Sequence, residues 1–258
     1  MPVAALIVIL PACVARTLPV AEHRPYLAPS AVDMTRLLPP PPDDEAGARD
    51  LEAVRAAQVA RTPGQVANSE TSAAVDVSRF GTVLGPDFVA ERLPLTTRFL
   101  AHANRDMGPY IGVTKDCWRR PRPFVIDAAI EPPPRALAST RTRGQRAEAV
   151  SLPPDSPCTT LQSDPGYTFS YPSGHATFGT MTAILLAEMI PERRQQLFAL
   201  GWEYGEARVI GGVHYPSDVE SGRILATTLV ALMMQDARFQ ADLRAARREI
   251  RAVLGYPD

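Results

Sequence analysis

The sequence has no surplus of charge of either sign: 27 Lys and Arg stand against 28 Asp and Glu. That balance excludes a global field that would recruit nucleic acid or an anionic membrane, so any anion must be held by a local cluster. Cysteine is scarce, three in 258 residues, and Cys13, Cys117 and Cys158 fall in no CxxC or Cys/His pattern, which excludes a zinc site of the usual spacing. No run approaches 18 uninterrupted apolar residues, so the apolar segments read as core helices rather than membrane spans. Segments of alternating polarity are almost absent, which leaves a β-sheet little to build on.

What is present is an all-α pattern long enough to bury a substantial core in a single domain. Residues 1–21 begin with the apolar run Val3 to Leu10 and continue through Pro11-Ala12-Cys13, similar to the apolar region and cleavage zone of a secretory signal. Export to the periplasm or medium is the expectation, with lipidation of Cys13 as a variant of it. In an oxidising compartment Cys117 and Cys158 either pair or stay as buried thiols. Residues 22–45 are proline-rich, with Pro39-Pro40-Pro41-Pro42, and read as an extended arm or a linker.

From residue 46 to 258 the chain reads as a helical bundle. A first helix is expected from Ala46 to Arg61, stopped by Thr62-Pro63-Gly64. Asn68 to Val77 and Asp87 to Asp106 favour helix, with Asp87 as N-cap, a kink or break at Pro94 and an interruption at Gly108-Pro109. Residues 125–170, rich in Pro, Arg and Ser, read as a long loop insertion whose Arg135, Arg141, Arg143 and Arg146 either draw an anion inward or simply face water. Further helices are expected over Ala176 to Ile190, Arg193 to Val209, Asp218 to Met234 and Ala237 to Leu254.

Three blocks carry chemistry. Lys115 and Arg122 lie seven apart, and two cations at one spot suit a phosphate, Lys as a compact charge and Arg as a planar fork. Tyr171-Pro172-Ser173-Gly174-His175 places a hydroxyl, a glycine and an imidazole at the start of an apolar helix, where backbone N–H groups point towards an anion. In the third block Arg208 precedes His214 by six and Asp218 follows it by four, so the Asp218 carboxylate can hold one imidazole nitrogen and leave the other as a nucleophile.

Taken together, Lys115-x6-Arg122-Pro123, Pro172-Ser173-Gly174-His175 and Arg208-x5-His214-x3-Asp218 resemble the signature of the type 2 phosphatidic acid phosphatase superfamily, which also includes the vanadium haloperoxidases. Lys115-Asp116, Arg122-Pro123-Phe124 and Ser217-Asp218-Val219 look most like the secreted bacterial class A non-specific acid phosphatases. The resemblance implies that His214 is the nucleophile that forms a phosphohistidine, that Asp218 orients it, and that His175 is the general acid and later the base. It implies that Lys115, Arg122, Ser173, Gly174 and Arg208 hold the phosphoryl oxygens, and that no metal or cofactor is needed. Ala207 stands where the superfamily often has serine, which removes one hydroxyl contact.

The expected activity is therefore hydrolysis of a small phosphomonoester to an alcohol and inorganic phosphate, without nucleic acid or a transmembrane helix, and with room for a homodimer. The alternatives are a phosphatase acting on lipid phosphates at a membrane surface, a vanadate-dependent haloperoxidase, and a non-catalytic phosphate-binding protein.

Overall fold

A computed structural model of the chain describes residues 24–141 and 168–257. The signal-like segment, Cys13, His23, Arg143, Arg146 and Cys158 lie outside the described residues. Among the described residues every regular element is helical and there is no strand, as the lack of alternating segments implies.

The first half of the chain forms α1 (Met34–Leu37), α2 (Asp44–Ala60), α3 (Pro63–Thr71), α4 (Gly81–Leu84) and the long α5 (Pro94–Trp118), followed by two short pieces, α6 (Pro123–Ile126) and α7 (Pro134–Ala138). The second half forms α8 (Gly174–Met189), α9 (Arg194–Ile210), α10 (Pro216–Met233) and α11 (Ala237–Leu254). The four helices expected in this half are all present, with boundaries within two residues.

The first half differs from expectation at its prolines. Thr62-Pro63-Gly64 ends α2 but also starts α3: the Thr62 hydroxyl accepts from the Gln65 amide at 3.3 Å, the Gln65 side chain accepts from the Thr62 amide at 2.8 Å, and Pro63 takes the first helical position. The helix expected from Asn68 to Val77 therefore begins earlier and ends at Thr71. Asp87 caps no helix and pairs with Arg92 instead. Pro94 is the first residue of α5 rather than a kink within it, and α5 continues through Gly108-Pro109 to Trp118. Pro109 removes one backbone donor, but Arg105, whose carbonyl loses its partner, is on the exposed side of the helix, where water can replace the bond.

The described part of the proline-rich segment packs on the helices. Tyr26, Met34 and Leu38 are buried in the main core, Tyr26 stacks on His102 of α5 with ring centroids 3.9 Å apart, and the Tyr26 hydroxyl donates to Asp242 of α11 at 2.7 Å. The described part of the 125–170 segment also departs from a water-facing excursion. Ile130 and Ala136 are buried, and Gln58 and Arg61, near the end of α2, donate to the carbonyls of Ala129 and Glu131.

At the centre lies α8, apolar almost all round and buried along most of its length, as such a helix must be. It packs against α9, α10, α5 and α11. The packing on α9 and α10 is unusually close because the facing residues are glycine and alanine. A Cβ on Gly179 would lie 2.1 Å from the Gly201 carbonyl oxygen, one on Gly201 would lie 2.5 Å from the Gly179 oxygen, and one on Gly222 would lie 2.5 Å from the Ser173 oxygen. α11 closes the bundle by burying Phe239, Leu243, Ala246 and Ile250.

Gly179→Ala is expected to destabilise the protein by about 3 kcal/mol, the upper range of core overpacking, because its neighbour is backbone and cannot rotate away. Gly112→Ala, on α5 with open space at the same position, is expected to gain about 1 kcal/mol from helix propensity. Chemical denaturation of the two variants checks the contrast; equal effects would show that the α8–α9 contact is not the tight one.

Candidate active site

The close packing of α8, α9 and α10 brings three chain segments to one end of the bundle: the N-terminus of α8, the C-terminus of α9, and the turn from Gly211 to Tyr215 that opens α10. The Ser173 amide donates to the Asp218 carbonyl at 2.9 Å, tying the first of these to the third. The last turn of α5 and the segment after it supply the remaining side chains.

His214 is buried, and each of its ring nitrogens has a different neighbour. Nδ1 lies 3.0 Å from Asp218 Oδ2, and Nε2 lies 3.3 Å from Arg122 Nη1. A guanidinium can only donate, so Nε2 holds the lone pair and Nδ1 the proton, which it donates to Asp218. Asp218 reaches the imidazole from the first turn of α10, and its Oδ2 also accepts from the Tyr215 amide at 3.0 Å and from the Ser170 hydroxyl. The pairing expected from the four-residue spacing is present, although His214 precedes the helix and the carboxylate bridges back over its N-terminus.

Arg122 is held by carbonyls. Its Nε donates to Thr168 O at 2.8 Å, Nη2 to Thr168 Oγ1 at 2.8 Å, and Nη1 to Val213 O at 2.6 Å. Lys115, the only lysine of the chain, donates from Nζ to the carbonyls of Phe169 at 2.6 Å and Ser170 at 3.0 Å. Arg208 is 1% exposed; it donates to Ser69 O at 3.4 Å, to Ala136 O at 3.2 Å and to the Ser139 hydroxyl. Its buried Nε–H has no hydrogen-bond partner among the described residues. A buried donor left unpaired costs free energy, and beside the Arg122 cation the acceptor it suits is an anion.

At the start of α8, Ser173 is fully buried and its hydroxyl oxygen accepts from the Ala176 amide at 3.3 Å, so the hydroxyl proton remains available to an oxyanion. Gly174 and His175 form the first turn, where amides lack intrahelical partners. His175 Nε2 lies 3.1 Å from the Ala73 carbonyl oxygen, which can only accept; the proton is therefore on Nε2, and Nδ1 is the nitrogen that titrates.

The electrostatics follow from burial and from the surplus of cations. Burial, then Arg122, Lys115 and Arg208, hold His214 well below the usual imidazole range. Burial, then Arg208, does the same to His175, only partly offset by the Ala73 carbonyl. Burial and the neighbouring Arg122 hold Lys115 well below the usual amine range, and the same two causes bring Arg208 down to about 9. The charges of Lys115, Arg122, Arg208, His175 and His214 thus act on one another, Asp218 touches His214, and Ser173 and Gly174 adjoin His175 at the start of α8. Among the described residues no group of three His, Cys, Asp or Glu could hold a metal ion.

Several contributors carry no sequence mark. Arg120 donates to Asp218 Oδ1 at 2.7 Å, yet it is one of three arginines between residues 119 and 122 and nothing in their spacing distinguishes it. Ser170, Thr168 and Ala73 act through carbonyls or a hydroxyl, and Asp50 lies in a helix rich in other charges. Cys117 is disulfide-bonded; Cys158, its partner under one of the two readings, lies outside the described residues. His102, on α5, packs on Tyr26.

Residues 101–241 match the PAP2 superfamily model. The chain is 30% identical over 254 residues to a non-specific acid phosphatase of Salmonella typhimurium, an alignment that covers 95% of this chain and 91% of that protein. It is 30% identical over 173 residues to an acid phosphatase of Zymomonas mobilis, covering 66% of this chain and 55% of that protein. Over 80 residues it is 41% identical to a non-specific acid phosphatase of Providencia stuartii, covering 31% of this chain and 32% of the relative. By the match over residues 101–241 and the likeness over most of its length, the chain belongs to the PAP2 superfamily, among the bacterial non-specific acid phosphatases.

Proposed function

We propose that this protein hydrolyses phosphomonoesters without a metal, through a phosphohistidine on His214. The observation that carries the reading is the opposed pair of contacts on that imidazole: Asp218 on Nδ1 and the cation cage, through Arg122, on Nε2. A lone pair directed at the place where an anion would bind is the arrangement of a nucleophile oriented by a carboxylate. Binding alone would require the cations but not this tautomer.

In the first step the phosphoryl oxygens are held by Lys115, Arg122 and Arg208, with the Ser173 hydroxyl and the Gly174 amide. His214 Nε2 forms a bond to phosphorus as the ester P–O bond breaks, and the leaving alkoxide takes a proton from His175. The imidazole gains positive character, which Asp218 stabilises. In the second step water attacks phosphorus, His175 accepts its proton, and the P–N bond breaks to release inorganic phosphate. Metal independence is supported by the composition of the pocket, whose positive charge comes from three side chains of the chain itself.

Export is part of the same reading. It is supported by the apolar N-terminal run and by the disulfide at Cys117, which suits an oxidising compartment. Among the described residues no helix is long and apolar enough to cross a membrane.

His214→Ala is expected to abolish hydrolysis of a chromogenic aryl phosphate while leaving the thermal transition intact, and acid- or hydroxylamine-sensitive phosphate should be trapped on the parent protein only. Wild-type turnover by the variant would remove His214 from the nucleophile's role.

The pH dependence has a definite sign. Both imidazoles are held below the unfolded value of about 6.5, so the unfolded chain binds more protons than the anion-free fold as pH falls. Their stabilising contribution is present above about pH 6.5 and is lost below it. A phosphate or vanadate anion offsets the cations and raises both pKa values, so ligand binding near pH 5.5 should take up protons. Calorimetry in buffers of different ionisation enthalpy measures that uptake, and His175→Asn should reduce it; binding without proton exchange would overturn the assignment.

A further inference from the structure

Asp50, on α2, belongs to none of the three sequence blocks, yet both of its carboxylate oxygens are engaged at the start of α10. Oδ2 accepts from Arg120 Nη2 at 2.7 Å and from the Ser217 hydroxyl, while Oδ1 accepts from the Ser217 amide at 3.2 Å. Arg120 extends Nη1 to Asp218 Oδ1 at 2.7 Å and to Ser217 Oγ at 2.7 Å, and its guanidinium lies 3.7 Å from the centre of the Tyr215 ring. One guanidinium thus bridges two carboxylates, and all three side chains are almost completely buried, with exposures of 8%, 8% and 0% for Arg120, Asp50 and Asp218.

We propose that Asp50 is a positioning residue for the phosphoryl-transfer chemistry: acting through Arg120, it keeps the Asp218 carboxylate aligned on His214 and preserves its negative charge towards that imidazole. The inference rests on the phosphohistidine reading given above. Its physical basis is charge sharing. Facing Arg120 alone in a buried pocket, Asp218 would be neutralised and drawn towards the guanidinium, away from Nδ1. The imidazole would then lose its counter-charge at the moment it becomes cationic in forming the P–N bond. With Asp50 on the other side of the fork, the Asp50, Arg120 and Asp218 triad carries one net negative charge instead of none.

The other titratable or charged groups around His214 are Lys115 from α5, Arg122 at the head of α6, His175 from α8 and Arg208 from α9, each of which lowers the His214 pKa. The triad is the opposing negative side. The neutral contacts on the Asp218 carboxylate, from the Ser170 hydroxyl and the Tyr215 amide, orient it but add no charge.

The test uses the full chain with a soluble aryl phosphate and compares Asp50→Asn with Asp50→Glu. Asp50→Asn keeps the shape and removes the charge. It is expected to lower kcat by about tenfold to a hundredfold, the effect of losing an outer partner of a metal-bound histidine. KM and the inhibition constant of inorganic phosphate should stay within about threefold, since the cation cage is untouched. The acid limb of kcat/KM should move to lower pH, because His214 with a weaker counter-charge is protonated less readily. Asp50→Glu should recover part of kcat. If Asp50→Asn does not fold, Arg120→Lys, which keeps a cation near Asp218 but loses the two-armed bridge, must show the same split between kcat and KM.

A folded Asp50→Asn with parental kcat and pH profile overturns the inference, as does a loss of rate that follows only the folded fraction with the acid limb unmoved. Trapping of the phosphoenzyme separates the two levels. If the parent is labelled on His214 and Asp50→Asn is labelled equally fast, only the role of Asp50 falls. If the parent hydrolyses ester with no label, the phosphohistidine reading falls and takes this inference with it.

Discussion

The carbonyl oxygen of Gly201 on α9 lies so close to Gly179 on α8 that no side-chain atom fits between them, and Gly222 on α10 meets the Ser173 carbonyl in the same way. These contacts set the spacing of the three helices, and that spacing decides where their ends lie. Ser173, Gly174 and His175 sit at the start of α8, Arg208 in the last turn of α9, and His214 and Asp218 at the opening of α10. Helices held apart by larger side chains would carry the same residues on ends too distant to share one anion. The site is thus a consequence of backbone packing in the core, and the glycines that permit it are as much a part of it as the side chains that line it.

Convergence also has an electrostatic cost. Lys115 and Arg208 lie where burial and the neighbouring Arg122 both oppose their charge. The fold offsets this with oriented carbonyls, from Thr168, Phe169, Ser170 and Val213 for Lys115 and Arg122, and from Ser69 and Ala136 for Arg208. Carbonyl dipoles stabilise the cations without neutralising them, so the net positive charge of the pocket survives for a ligand. Carboxylates in those positions would have satisfied the cations and closed the site to phosphate. The Asp218 carboxylate in contact with His214 is turned to the opposite nitrogen, where it supports the imidazole without competing for the cage.

The arm and the site are mechanically connected. Tyr171, which precedes Pro172 and Ser173, donates its hydroxyl to the Pro39 carbonyl and accepts from Ser221 of α10 at 2.6 Å. The proline-rich segment is therefore fastened to the residues that begin α8, in addition to its anchorage on α5 and α11 through Tyr26. A segment with low content of helix or strand signals earns its order here from apolar side chains at Tyr26, Met34 and Leu38 and from tertiary hydrogen bonds.

Much was legible in order along the chain. The lack of alternating segments excluded a sheet, apolar and amphipathic runs located α8 to α11, and the three spaced blocks hold the side chains from which the candidate site is built. These are local properties: helix periodicity and motif spacing are written over a few turns of backbone. The prolines misled because proline ends one helix and begins another with the same ring, and only packing chooses; Pro63 and Pro94 start helices, and Pro109 is carried inside one.

Tertiary structure decided the rest. That Arg120 and Arg122 rather than Arg119 turn inward, which carbonyls hold the cations, and that Asp50 reaches Arg120 across seventy positions of sequence depend on contacts between segments distant along the chain. Spacing within a motif reports the geometry of one helix or turn, whereas charge, tautomer and burial at a pocket are set by every element packed around it. The sequence by itself therefore determined the helical class and which residue types the candidate site could draw on, and the close approach of α8, α9 and α10 decided its electrostatics.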